Sequence, residues 1–304
     1  MKNCVLYMFL FLVFISSCDD NDDVSNPVNI SVPGISNIVS ETGFEVTEAD
    51  IIQALEAVGP INIVAQVDHR ANALSVNKEL DSTKVIIFGN PALGTPLMQK
   101  NQLAGLDLPQ KLFVFRDASN SVRVAFNNTD YLQKRYDLQD VKSLNTIAEA
   151  LKNFATLNSS GELEINNAES IDKEEGILTK ISNQNFEDTY NSLIAAIQNN
   201  SNLRLVAEVN HQANAESVNL ELNPTRLVVF GNPNLGTPLM QNVQTIGIDL
   251  PQKILVWQDN DGKVNISYNT PVFLQERHGI KGNEDLLTTI SNALDALTNT
   301  AAGV

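Results

Sequence analysis

The chain has 304 residues, with 20 Lys and Arg against 36 Asp and Glu, a formal net charge of −16. Such a length suits about two domains, and a hydrophobic share of 43% is enough for packed cores. The negative charge argues against nucleic acid as a partner, because phosphate binding needs a basic surface, and two Cys cannot build a disulfide scaffold or a four-thiolate zinc site.

In chain order, the first element reads as an export signal over residues 1–17. Lys2 supplies the positive start, and Val5 to Ile15 is an apolar run too short to span a bilayer as a stable helix. Ile15-Ser16-Ser17-Cys18 resembles a bacterial lipobox. The resemblance implies cleavage before Cys18 and lipid attachment to its sulfur, with a plain secretory signal as the alternative. The anchor would place the protein in the bacterial cell envelope, on the outer membrane. Loss of Lys2 would take the net charge from −16 to −17 and leave no free thiol. Residues 18–32 read as an acidic tether, because Asp19-Asp20-Asn21-Asp22-Asp23 is a run of like charges. The same run resembles the surface-export tag of some lipoproteins.

Past the tether the sequence matches itself at a shift of 142. Phe88-Gly89-Asn90-Pro91 meets Phe230-Gly231-Asn232-Pro233, and Asp107-Leu108-Pro109-Gln110-Lys111 meets Asp249-Leu250-Pro251-Gln252-Lys253. Between 61 and 117, 33 of 57 positions are identical with no insertion. That period is too long for a solenoid unit, so the chain is a duplicated domain: copy one over 33–157, a polar linker over 158–174, copy two over 175–304.

Within copy one, Gly34 to Ser40 is a short strand. Thr47 is a candidate cap for a helix reaching about Val58, where Gly59-Pro60 stops it. Ile61 to His69 alternates as a strand, with Ile61, Ile63, Ala65 and Val67 on one side. A helical turn or two follows over Ala71 to Asn77, then an apolar buried strand over Val85 to Phe88. Pro96 to Gln102 is a short helix with Thr95 as its cap. Leu112 to Phe115 and Val122 to Phe126 form a hairpin, and Val141 to Leu157 closes the copy as a helix. The order favours an α+β class, two tandem domains each made of an antiparallel sheet with helices on one face.

Phe-Gly-Asn-Pro-x-Leu-Gly-Thr-Pro-Leu-Met followed by Asp-Leu-Pro-Gln-Lys, with an upstream Val-x-His-x-Ala-x-Ala, resembles the DUF302 family in both copies. The resemblance implies a fold like the TATA-box-binding-protein half domain and says little about function. Similarity of fold to a DNA-binding protein is no warrant for DNA binding.

Two glycines five apart, Gly89 and Gly94, sit after a strand like a phosphate loop. A Walker loop needs Gly-Lys-Ser/Thr, whereas here Thr-Pro follows Gly94 and two prolines remove N–H donors. What remains is a fixed strand-to-helix turn, or a donor set from Gly89, Asn90, Thr95 and the helix start facing a small anion or carbonyl. Gly231, Asn232 and Thr237 are the equivalents. His69 and His211 occupy equivalent strand ends, each followed by Asn three residues on, Asn72 and Asn214. Their rings either bond a nearby backbone group or serve a ligand, as binder or general base. A metal would need both His to converge, and no carboxylate cluster supports one.

Asp107 and Asp249 read as braces of a turn, Asp117 and Asp259 as hairpin-turn residues, Met98 and Met240 as core. Arg135 and Arg277 read as ion-pair partners ahead of anion binders, and His278 as surface or packing. No nucleophilic triad is legible, so no catalytic residue, metal or cofactor is assigned. The expectation is a lipoprotein binding module for a small molecule or an envelope protein. The alternatives are a scaffold whose copies pack as a pseudo-dimer, the commonest symmetry, and an enzyme using His69 or His211.

Overall fold

The computed structural model describes residues 30–304. The export signal, Cys18 and the acidic run lie outside the described residues. Copy one runs β1 (Ile35–Val39), α1 (Phe44–Glu56), β2 (Asn62–Asp68), α2 (His69–Leu74), β3 (Thr83–Gly89), α3 (Pro91–Lys100), a 3-10 turn (Gln102–Leu106), β4 (Gln110–Arg116), β5 (Val122–Asn127), α4 (Thr129–Tyr136) and α5 (Ser143–Ala155). A two-residue strand, β6 (Glu164–Ile165), follows. Copy two repeats the order as β7 (Ile177–Ile181), α6 (Phe186–Gln198), β8 (Arg204–Asn210), α7 (His211–Glu216), β9 (Thr225–Gly231), α8 (Pro233–Asn242), a 3-10 turn (Gln244–Ile248), β10 (Gln252–Gln258), β11 (Val264–Asn269), α9 (Pro271–His278) and α10 (Glu284–Ala302).

The first sheet has the order β2-β3-β4-β5-β1-β6 and the second β7-β11-β10-β9-β8, with every pairing antiparallel. The class is α+β, in two tandem domains. An antiparallel sheet with one wet face alternates apolar and polar residues. The central strands here do not, because both of their faces are covered. Ile86, Phe88, Leu112 and Val114 point into a core under the helices. Val85, Ile87, Phe113 and Phe115 point the other way, into a second core completed by Leu227, Val229 and Leu255 of copy two. The copies therefore bury the helix-free faces of their sheets against each other.

Several local expectations change. Thr47 lies inside α1, whose N-cap is Gly43; its buried hydroxyl donates to the Gly43 carbonyl at 3.0 Å. The helix read as Pro96 to Gln102 begins at Pro91, because Asn90 caps it by accepting from the Ala92 N–H at 3.0 Å. Asn is a strong cap and Pro is favoured at the first helical position, so the earlier Asn-Pro wins over Thr-Pro. A β-bulge between Ile63 and Ala65 breaks the alternation of β2. Ile61 and Ile63 pack on the helix side, while Ala65 and Val67 pack on the inter-copy side.

The stretch read as linker is packed: β6 pairs with β1, and Ala168 and Ile171 are buried. So is the end of the stretch read as tether, where Ile30 and Val32 join the inter-copy core. The shift of 142 becomes 143 in the closing helices, since Ile147 and Leu151 correspond in burial to Ile290 and Leu294.

Candidate functional site

Among the cavities between the copies, two are mostly apolar, and each is built from both copies. The first takes Gly89, Asn90 and Thr95 from copy one and His211 and Asn214 from copy two, around a cavity of about 260 Å³. The second takes Gly231, Asn232 and Thr237 from copy two and His69 and Asn72 from copy one, around about 100 Å³. All ten site residues expected from the sequence line one pocket or the other. What the sequence did not reveal is that each loop is completed by the opposite copy's His and Asn.

The strand-to-helix turn is shaped by close approach. A Cβ on Gly89 would stand 3.1 Å from Pro109 Cβ, and on Gly231 3.3 Å from Pro251 Cβ. The first-turn donors are already spent: Pro91 has none, Asn90 Oδ1 takes the Ala92 N–H, and the Asn90 carbonyl takes those of Leu93 and Gly94. A small anion at that helix start would find little to bind. The free donor is one turn further in. Thr95 is 1% exposed and Thr237 0%, and neither hydroxyl has a hydrogen-bond partner. The Gln110 amide nitrogen, on the same wall as Thr95, is also buried and unpartnered. Such groups cost stability unless something satisfies them.

His69 opens α2 behind Asp68, whose carboxylate caps the Ala71 N–H at 2.7 Å. Its Nε2 lies 3.1 Å from the Gly247 carbonyl of copy two. A carbonyl only accepts, so Nε2 carries the proton and Nδ1 is left as the ring's acceptor. Burial pushes His69 down to about 4 despite that bond, so the ring is neutral at ordinary pH. Burial likewise pushes His211 down to about 4. The Gly105 carbonyl is near enough to lift His211 slightly, yet no hydrogen bond closes and its Nε2 is without a partner. The two His serve separate pockets rather than one shared centre. Among the described residues no group of three or more His, Cys, Asp or Glu is placed to hold a metal.

A family model, described as a domain of unknown function, DUF302, matches residues 36–156 and again 178–297. The chain belongs to the DUF302 family. Over 129 residues, 42% of its length, it is 36% identical to proteins named fluoride-specific ion channel FluC 1 in Brucella suis biovar 1 and Brucella abortus biovar 1. FluC 2 of Brucella melitensis biotype 1 matches equally. The matched part is 50% of the first and 47% of the other two, so the chain spans about half the length of these relatives. Among solved structures, an uncharacterised conserved DUF302 protein of Bacillus stearothermophilus aligns with a TM-score of 0.38 at 16% identity, over 42% of this chain and 98% of that one.

The DUF302 copies meet at a buried ionic seam in which Arg135 and Arg277 are the ion-pair partners the sequence suggested, with a cross-copy setting it did not reveal. Asp107 accepts from Arg135 Nη1 at 2.9 Å, from the Tyr136 hydroxyl at 2.6 Å and from Lys253 Nζ of the other copy at 2.9 Å. Asp249 accepts from Arg277 Nη1 at 2.7 Å and His278 Nε2 at 2.9 Å, with Lys111 Nζ of copy one at 3.7 Å. These are not turn braces but cross-copy anchors. His278 is buried, which is the packing alternative rather than the surface one, and its Nε2 meets Asp249 as the Tyr136 hydroxyl meets Asp107 in copy one. Each Arg also reaches across, Arg135 to Asn269 Oδ1 at 2.9 Å and Arg277 to Asn127 Oδ1 at 2.8 Å. Their guanidinium groups stack on Phe273 and Tyr131 of the opposite copy, 4.2 and 4.0 Å from the ring centres.

Burial alone would raise the Asp107 carboxyl, but Lys253 and Arg135 outweigh it and hold it well below the ordinary carboxylate range. Asp249 is held low in the same way by Arg277, His278 and Lys111. With two Asp, two Arg and two Lys fully ionised, this group would carry a surplus of positive charge. Burial, reinforced by Lys253, pushes Lys111 down to about 7, which relieves that surplus.

Proposed function

We propose that this chain is a lipid-anchored cell-envelope protein that binds a small organic molecule in the pockets shared by its copies. The observation that carries the reading is the pairing of a buried, unpartnered Thr hydroxyl with the other copy's His in each pocket. A binding site is concave and mostly apolar, with a few convergent polar groups, and the first pocket has those features. Attachment through Cys18 and the outer-membrane location rest on the sequence of residues 1–18.

The enzyme alternative is weakened by basicity. A His whose conjugate acid dissociates near 4 is a poor general base at neutral pH. A halide role taken from the names of the Brucella relatives fits poorly too, since the first pocket, walled by Ile61, Phe88, Leu93 and Leu151, offers two neutral donors, Thr95 and Gln110, and no lining cation to offset stripping water from fluoride.

The test is native mass spectrometry of the full chain, purified gently from its host in mild detergent, beside the Thr95→Val/Thr237→Val variant. One or two organic molecules per wild-type chain, diminished in the variant, support the reading, and an acylated Cys18 supports the anchor. A bare chain in both would overturn the ligand reading and turn attention to the protein-interaction alternative, next tested by crosslinking on intact cells.

A further inference from the structure

The two pockets are equivalent in descent but differ in charge: a cation lines the second and none lines the first. Position 204 lines the second pocket and is Arg; its counterpart, position 62, lines the first and is Asn. The Arg204 guanidinium crosses to the other copy, donating to Asn72 Oδ1 at 3.2 Å and to Ser75 Oγ at 3.1 Å. Two of its five N–H donors are thus used, which leaves three on a residue that lines the pocket. The receiving pair also exists at the first pocket, as Asn214 and Ser217, but Asn62 is too short to use it.

Glu208 also borders the first pocket, but its carboxylate is turned onto the Tyr190 hydroxyl of α6. The counterpart of Glu208 in copy one is Gln66. No Lys or Arg lines the first pocket. Asp68, near the second, turns its carboxylate onto the Ala71 N–H. Both pockets have largely aliphatic walls and one buried, unpartnered Thr hydroxyl in their lining.

Resting on the small-molecule reading above, we infer that the pockets divide one class of ligand, single-headed aliphatic amphiphiles, by head-group charge. The second pocket takes a carboxylate under Arg204. The first takes an uncharged, hydrogen-bond-accepting head that Thr95 and Gln110 can reach, because no cation lines it to reward a carboxylate. Arg204 also narrows its pocket, consistent with about 100 Å³ against about 260 Å³.

The protein carries its own reporters, because Met98 lines the first pocket and Met240 the second. The full chain, labelled with ¹³C at its methionine methyls and assigned through Met98→Leu and Met240→Leu, is titrated with octanoate and with octanamide. Octanoate should shift the Met240 signal at about tenfold lower concentration than the Met98 signal, the worth of one charge-assisted hydrogen bond. Octanamide should favour Met98. Arg204→Asn should abolish the octanoate preference at Met240, and Asn62→Arg should create one at Met98; both residues are exposed, so circular dichroism should find both variants folded. Equal octanoate response at both methyls, or unchanged octanoate affinity in Arg204→Asn, overturns the division by charge and leaves the small-molecule reading standing. No shift of either methyl with either probe at millimolar concentration overturns both.

Discussion

Asp107→Asn tests whether the ionic seam holds the two copies together. In the wild type the carboxylate receives Arg135, Tyr136 and Lys253, all within 2.9 Å. The amide is isosteric, so packing is kept while the negative charge is lost. Two cations are then stranded in a region where both partners' side chains are almost wholly buried. Removing one partner of a buried pair costs about 3–5 kcal/mol, and because the amide oxygen still accepts one hydrogen bond we expect about 3 kcal/mol.

The pH dependence follows from the depressed Asp107 carboxyl. Its contribution is fully present above the unfolded value of about 3.9 and is lost as pH falls, because the unfolded carboxylate takes up a proton while the native one does not. The stability gap between wild type and variant should therefore hold from pH 7 to 5 and shrink below pH 4, by about 1.4 kcal/mol per pH unit. Urea unfolding from pH 7 to 3 measures it, followed by far-ultraviolet circular dichroism and by Trp257 fluorescence. Trp257 lies in copy two, so its transition should move with that of the whole chain. A gap under about 1 kcal/mol at pH 7, or one that stays constant down to pH 3, would refute the reasoning.

Three further perturbations separate the seam from the pockets. Lys111 is held near 7 against an ordinary 10.5, so the unfolded chain binds more protons between those values and this group makes wild-type stability rise with pH. Calorimetry of Lys111→Met should find that rise missing, with the variant faring best against wild type at pH 6 and worst at pH 9. Thr95→Val removes a buried hydroxyl without a partner; denaturant melts of the unliganded protein should show a change between zero and a gain of about 1 kcal/mol, and a loss above that size would show that the hydroxyl is structurally engaged. Gly247→Ala would place a Cβ 2.8 Å from Phe113 Cε2 of the other copy; overpacking of this kind costs about 1–3 kcal/mol, read as a lowered urea midpoint by Trp257 fluorescence.

Much of this architecture was legible in the sequence. The shift of 142 carried both domains and their element order, and apolar runs such as Val85 to Phe88 marked strands buried on both faces. The pocket loops were legible too, because Gly89-Asn90-Pro91 and the His with its following Asn have a local signature. What escaped was anything set by tertiary contact. Pairing His69 with the loop of the other copy depends on how the copies sit, and no local spacing encodes that. β6 is two exposed residues without alternation, so neither period nor composition marks it. Asp107 beside Leu-Pro looks like a turn residue, and its true partner, Lys253, is 146 positions away. One signal was available: Asp107, Lys111 and Arg135 all recur 142 positions later, and Lys111 and Lys253 both fall within apolar strands. Charge retained twice in apolar surroundings points to burial with a partner.

Fusion explains why the pockets can differ while the seam does not. Two identical chains meeting through this interface would form two identical pockets, since an isologous contact repeats every pairing. Any change to the mouth of one would appear in the other. In a single chain the copies vary independently, and the variation is unevenly distributed. At the seam, Asp107, Lys111 and Arg135 keep their identities as Asp249, Lys253 and Arg277, and the exchange of Tyr136 for His278 preserves a hydrogen bond to the Asp. At the mouths, Asn62 corresponds to Arg204 across the repeat, an exchange that alters charge. The seam tolerates little because a stranded ion there destabilises the whole interface. The mouths are solvent-facing, where a new charge costs almost nothing in stability. The constraint on packing and the freedom at the openings together allow one duplicated framework to present two chemically distinct sites.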